Sequence, residues 1–148
     1  MSRAGAQSQQ FEVVRYRKPT LKSLGRGLVL LAKTGLIETG IHIVKPGTPQ
    51  GLHAHDSYDQ FYFVLSGRVR FIGAGDAGAE LGPLEGISVP RSIPYGFEAI
   101  GEEAELLFFN ARTPGVADRF ISHHAGSDRV ELEIFAPDGA SRGIYRDG

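Results

Sequence analysis

Hydrophobic and polar residues alternate in short runs along this chain, and glycine or proline separates most of the runs. From Leu36 to Lys45, the residues Ile37, Thr39, Ile41 and Ile43 recur at every second position. That is the repeat of a strand with one buried face. His42 falls on the other face and is expected to point outward. Gln60 to Leu65 is rich in aromatic and β-branched residues and predicts a strand. Ser66-Gly67 ends it as a turn, and Arg68 to Gly73 returns. Val29–Lys33, Leu52–His55, Glu80–Leu84, Gly86–Val89, Tyr95–Ile100, Glu105–Asn110 and Val130–Phe135 read as further strands. Phe11–Tyr16 reads as another short one. Pro114 to Ile121 reads as a short helix with proline at its start. No long helical period and no repeat of solenoid length is present. Roughly ten short strands with frequent turns predict an all-β barrel or sandwich.

Composition adds bounds. A length of 148 residues predicts one domain, 1–148, with room for one hydrophobic core. The 20 glycines and 8 prolines are spread along the chain, as many turns require. The net charge of −1 gives no global attraction to nucleic acid or to an anionic membrane. The basic run Arg15-Tyr16-Arg17-Lys18 is too short to change that. With no cysteine, disulfides, thiolate metal sites and a cysteine nucleophile are excluded. No apolar run reaches the length of a membrane-spanning helix. The first ten residues are polar and read as a loose arm, so a cytoplasmic location is expected.

The candidate chemistry sits at His53 and His55. One residue separates them, which on a strand puts both imidazoles on one face, where they can share a metal ion. Gln60 opens the next strand. The run Gly47-x5-His53-x-His55-x4-Gln60-x6-Gly67 resembles the first motif of the cupins, with Gln60 where the family usually has glutamate. Gly86-Ile87-Ser88-Val89-Pro90-Arg91-Ser92-Ile93-Pro94-Tyr95-Gly96-Phe97 resembles their second motif. There Tyr95 stands in place of the family's third histidine.

The resemblance covers about residues 28–112. It implies a cupin, or jelly-roll, β-barrel of two antiparallel sheets. Residues 1–10 would be a flexible arm and 113–148 a C-terminal extension. It implies one divalent first-row metal per chain on His53, His55 and Gln60, with Fe, Mn, Ni, Zn and Cu all open. Gln60 offers only a neutral amide oxygen, so the metal would be held less tightly than by a carboxylate. Tyr95 would either ligate as phenolate or work as an acid–base group with His53. The implied activity is oxygenation, isomerisation or cyclisation of a small, partly apolar organic substrate.

An alternative comes from Gln50-Gly51-Leu52-His53-Ala54-His55-x4-Gln60, which resembles the R-G-x-H-A-H-x4-Q pattern of sugar-nucleotide ketoisomerases. It implies a metal-free site with a histidine base, although Gln50 replaces the arginine. A non-catalytic small-molecule-binding barrel is the third reading.

Period two sets the expected lining. If Gln60 faces inward, Tyr62 and Val64 do too, and Tyr95 shares a face with Phe97. Tyr62 and Phe97 are therefore expected in a substrate pocket, with Val64 as core. Phe61, Phe63 and Leu65 face the other way and suit a homodimer seam or a cover of N-terminal strands. Arg68 and Arg70 share one face, either solvated or meeting an anionic substrate group. Asp59 should point away from Gln60. His123 and His124 follow the expected helix and lie outside the motifs.

Overall fold

The computed structural model describes residues 10–22, 24–48, 51–75, 77–122 and 130–147. Twelve strands are formed among them: β1 (Arg26–Lys33), β2 (Ile37–Val44), β3 (His53–His55), β4 (Tyr58–Ser66), β5 (Val69–Gly73), β6 (Gly78–Leu81), β7 (Gly86–Val89), β8 (Tyr95–Ala99), β9 (Ala104–Arg112), β10 (Phe120–Ser122), β11 (Val130–Phe135) and β12 (Ser141–Asp147). They make a seven-stranded sheet, β12-β11-β1-β2-β9-β4-β7, and a five-stranded sheet, β10-β3-β8-β5-β6. All pairings are antiparallel except β1 with β11. The all-β jelly roll expected from the sequence is the architecture found.

The core between the sheets follows period two. Tyr62 and Val64 on β4, Tyr95 and Phe97 on β8, and Leu106 and Phe108 on β9 are buried together with Val69 and Phe71. Gly67 closes the β4–β5 turn at φ +80°, and a Cβ there would sit 2.8 Å from the Ala104 Cα and the Glu103 carbonyl. Only glycine meets both demands.

The outer face of the large sheet is also buried across β1, β2 and β11. Leu21, Val29, Ile41, Ile43 and Phe135 form a second cluster, with Tyr16 packed against it. Gly27 makes this fit possible, because a Cβ on it would lie 2.5 Å from Leu21 Cδ2. The buried Glu133 carboxylate accepts the backbone N–H groups of Lys22 (2.9 Å) and Leu24 (2.7 Å), which fastens the N-terminal segment across the sheet. Arg17 N–H donates to the Pro137 carbonyl, 2.8 Å.

Three expectations are corrected. Phe11–Tyr16 forms no strand; it is irregular, largely exposed chain of which Tyr16 packs against the sheet. Pro114–Ile121 is not a helix: a turn at Pro114-Gly115 leads through extended chain into β10. Asp118 in that stretch is bonded to His55 and Ser57, so its partners lie across the fold rather than one helical turn away. His42 does not point outward. Its strand has two buried faces, and the isoleucine face lies under the N-terminal segment, so His42 turns into the barrel.

Candidate functional site

A cavity of about 920 Å³ opens in the barrel. Cross-strand register arranges its polar lining. Glu38 on β2 lies opposite Asn110 on β9, which lies opposite Gln60 on β4. Since the Glu38 carboxylate can only accept, Asn110 presents Nδ2 to it (3.2 Å) and turns Oδ1 to Gln60 Nε2 (3.1 Å). The same Nε2 is 3.0 Å from the Tyr62 hydroxyl, which is 2.7 Å from the Tyr95 hydroxyl. The direction set at Glu38 therefore leaves Oε1 as the lone-pair atom of the Gln60 amide.

The phenols stay protonated. Burial pushes Tyr62 up to about 12, against hydrogen bonds from Tyr95 and Gln60 that lower it. Burial first, then the Tyr62 charge and hydrogen bond, hold Tyr95 well above the ordinary phenol range. Both hydroxyls are thus O–H groups at neutral pH.

His53 and His55 come together as the spacing implies. Both line the cavity, while Ala54 between them is buried. Their ring centroids are 5.3 Å apart and nearly perpendicular. His53 pairs in register with Tyr95, with ring centroids 4.4 Å apart. Its Nδ1 is 3.3 Å from the Gly51 carbonyl. His55 Nδ1 is 2.5 Å from Asp118 Oδ2, and Asp118 Oδ1 accepts the Ser57 hydroxyl at 2.9 Å. The Tyr58 hydroxyl is 2.9 Å from the same histidine nitrogen. In the tautomer that directs Nδ1–H at these oxygens, the lone pair of each ring lies on Nε2.

The histidines fit a metal in one respect: ligating histidines usually have their other nitrogen fixed by a carboxylate or carbonyl, as here. The remaining donors fit less well. Among the described residues, no three His, Cys, Asp or Glu side chains are grouped to hold an ion. Gln60, the third ligand that the motif implies, also lines the cavity and offers only a neutral amide oxygen.

His42 was not anticipated in the site. It lines the cavity, with its ring 5.1 Å from Phe108 and 5.3 Å from Phe97 between centroids. Its Nδ1 is enclosed and has no hydrogen-bond partner among the described residues. Burial, and then the nearby Arg26 charge, lower its pKa to about 3. The unfolded chain takes up a proton near pH 6.5 that the folded state refuses, so stability is fully present above that pH and falls below it. Moving from pH 7 to pH 5 is expected to cost about 2 kcal/mol through this group. Urea titrations at both pH values should show a difference that His42→Phe reduces by that amount; an unchanged difference would contradict the assignment.

Asp118, Glu38 and Arg26 also reach the cavity without a sequence signal. Arg68 and Arg70 do not. Arg70 is exposed and paired with Glu80 (2.8 Å) and Glu98 (3.1 Å), and Arg68 is exposed near Glu80. Asp59 points away and meets Arg91. Phe61 and Leu65 stay exposed, so no N-terminal strand among the described residues covers them. His123 and His124 lie outside the described residues.

Residues 40–110 match the model of the cupin domain family. The barrel is a cupin domain. Solved structures agree in fold. A conserved protein with a double-stranded β-helix domain from Klebsiella pneumoniae superposes with a TM-score of 0.61 at 12% identity, over 71% of this chain and 91% of that one. KdgF from Halomonas sp. gives 0.57 at 18%, over 62% and 82%. An RmlC-like cupin from Desulfovibrio desulfuricans gives 0.55 at 22%, over 70% and 92%. No curated protein matches this cupin. Among the described residues, no helix is long and apolar enough to cross a membrane.

Proposed function

We propose that this cupin is a metal-dependent enzyme acting on a small, partly apolar organic molecule. The observation that supports it most is the fixing of both histidines by oxygen acceptors, Gly51 for His53 and Asp118 for His55. His53, His55 and Gln60 would hold one divalent first-row ion, with Fe, Mn, Ni, Zn and Cu open. Such an ion supplies Lewis acidity to a carbonyl or enolate oxygen. The chain's own residues do the rest. Tyr62, Phe97 and Phe108 form the apolar wall that binds the substrate and keeps water out. Tyr95 holds a proton at its hydroxyl, beside His53, for transfer to or from the substrate.

Oxygenation, isomerisation and cyclisation are the reaction classes consistent with this set. A homodimer through the exposed Phe61, Leu65 and Phe109, and a cytoplasmic location, belong to the same reading. In an activity screen of metal-supplemented protein, Tyr95→Phe is expected to lower turnover about 100- to 10,000-fold with metal content unchanged. Retained turnover would take Tyr95 out of the chemistry.

One observation favours a second reading. The His55–Asp118 pair is also the arrangement of a general base held by a carboxylate, with no metal needed. That reading matches the ketoisomerase-like run, and it predicts thymidine-nucleotide binding and turnover that a chelator leaves intact.

A further inference from the structure

The cavity holds a buried cation that the proposed chemistry does not use. Arg26 comes from β1, ahead of both motifs, and is 7% exposed. Its Nε and Nη2 donate to the Thr48 carbonyl at 3.0 and 2.8 Å, and Nη2 also donates to the Phe97 carbonyl. The guanidinium carbon lies 4.9 Å from the centre of the Phe97 ring. Nη1 makes no hydrogen bond among the described residues, and no carboxylate there lies within ion-pair distance of the guanidinium. Burial lowers its pKa to about 10, so it stays charged at neutral pH. A buried charge without an ionic partner is costly, and a guanidinium matches a carboxylate in shape.

His42 lies beside it. In register, Arg26 pairs with Val44 and Leu28 with His42, so Arg26 and His42 are diagonal neighbours on the inward face of β1 and β2. Both pack against the Phe97 ring. The enclosed Nδ1 of His42 is a second unmet polar group at this place. Of the other cations of the lining, Lys33 is paired with Glu38 and Arg119 with Asp56, and Arg112, which donates to the Thr34 carbonyl, is only partly buried.

We propose that Arg26, flanked by His42, is the anchor for a carboxylate group on the ligand of this cavity. The ligand is a monocarboxylate with an apolar or aromatic body. The carboxylate meets Arg26 Nη1, the body lies along Phe97, Phe108 and Tyr62, and the far end reaches His53 and His55. One buried cation, with Glu38 and Asp118 in the same lining, suits a single negative charge rather than a phosphate dianion. The inference rests on the cavity being the ligand site, as proposed above, but not on the metal or on turnover.

The test is binding of phenylacetate and of the neutral phenylacetamide to chelator-treated full-length protein, followed by calorimetry and by NMR. Phenylacetate is expected to bind at least tenfold more tightly than the amide. Arg26→Gln should remove that preference, and His42→Phe should weaken phenylacetate several-fold while leaving the fold at least as stable. Equal binding of acid and amide by the wild-type protein, or no binding of the acid, overturns the proposal without any variant. A preference that survives Arg26→Gln but vanishes in His53→Ala also overturns it, because the carboxylate then sits at the histidine pair. That last result would leave the proposed function standing.

Discussion

Replacing Asp118 with alanine is expected to weaken metal binding about 10- to 100-fold. The carboxylate meets His55 Nδ1 at 2.5 Å and ties down Ser57 at the start of the next strand. Removing it frees the imidazole to rotate and to change tautomer, so the lone pair is no longer held on Nε2. Asp118→Asn keeps an acceptor but no charge, and should fall between alanine and wild type. Competition with a chelating dye measures the three affinities. Equal affinities would mean that His55 is not a ligand, and would favour the metal-free role of the His55–Asp118 pair.

Gln60→Glu is expected to act in opposite directions on the empty and loaded protein. Gln60 is buried, and its Nε2 faces Asn110 Oδ1, an orientation that Glu38 enforces. A carboxylate there would meet an acceptor and have no positive partner. Without metal, the variant should lose about 3 kcal/mol of stability at pH 8. The loss should shrink at low pH, as the new carboxyl stays protonated in the folded state. With metal, the added negative charge replaces a neutral donor, so affinity should rise tenfold or more and most of the stability should return. Urea titrations with and without metal read both effects. A variant destabilised to the same extent in both conditions would place Gln60 in the polar row alone and outside a metal site.

The sequence made the barrel and the histidine pair legible because both depend on local spacing. Period two placed Gln60, Tyr62 and Val64 on one face and Tyr95 with Phe97 on another, and burial agrees. Period two could not say which face of a strand is the interior. On β2 the more apolar face, Ile41 and Ile43, lies under the N-terminal segment. The polar face carries Glu38 and His42 into the cavity. The sequence also could not show partners brought in from afar. Asp118 is 63 residues from His55, in a stretch whose proline suggested a helix start. Arg26 precedes the motifs and reaches the cavity only because β1 joins the sheet beside β2. What the motifs conveyed was the position of the site; its electrostatics come from residues outside them.

The most direct test of the account is the metal content of the untagged protein, as purified and after reconstitution. About one divalent first-row ion per chain is expected, falling to near zero in a folded His53→Ala variant. A well-folded wild-type protein that holds no metal even after reconstitution would contradict it.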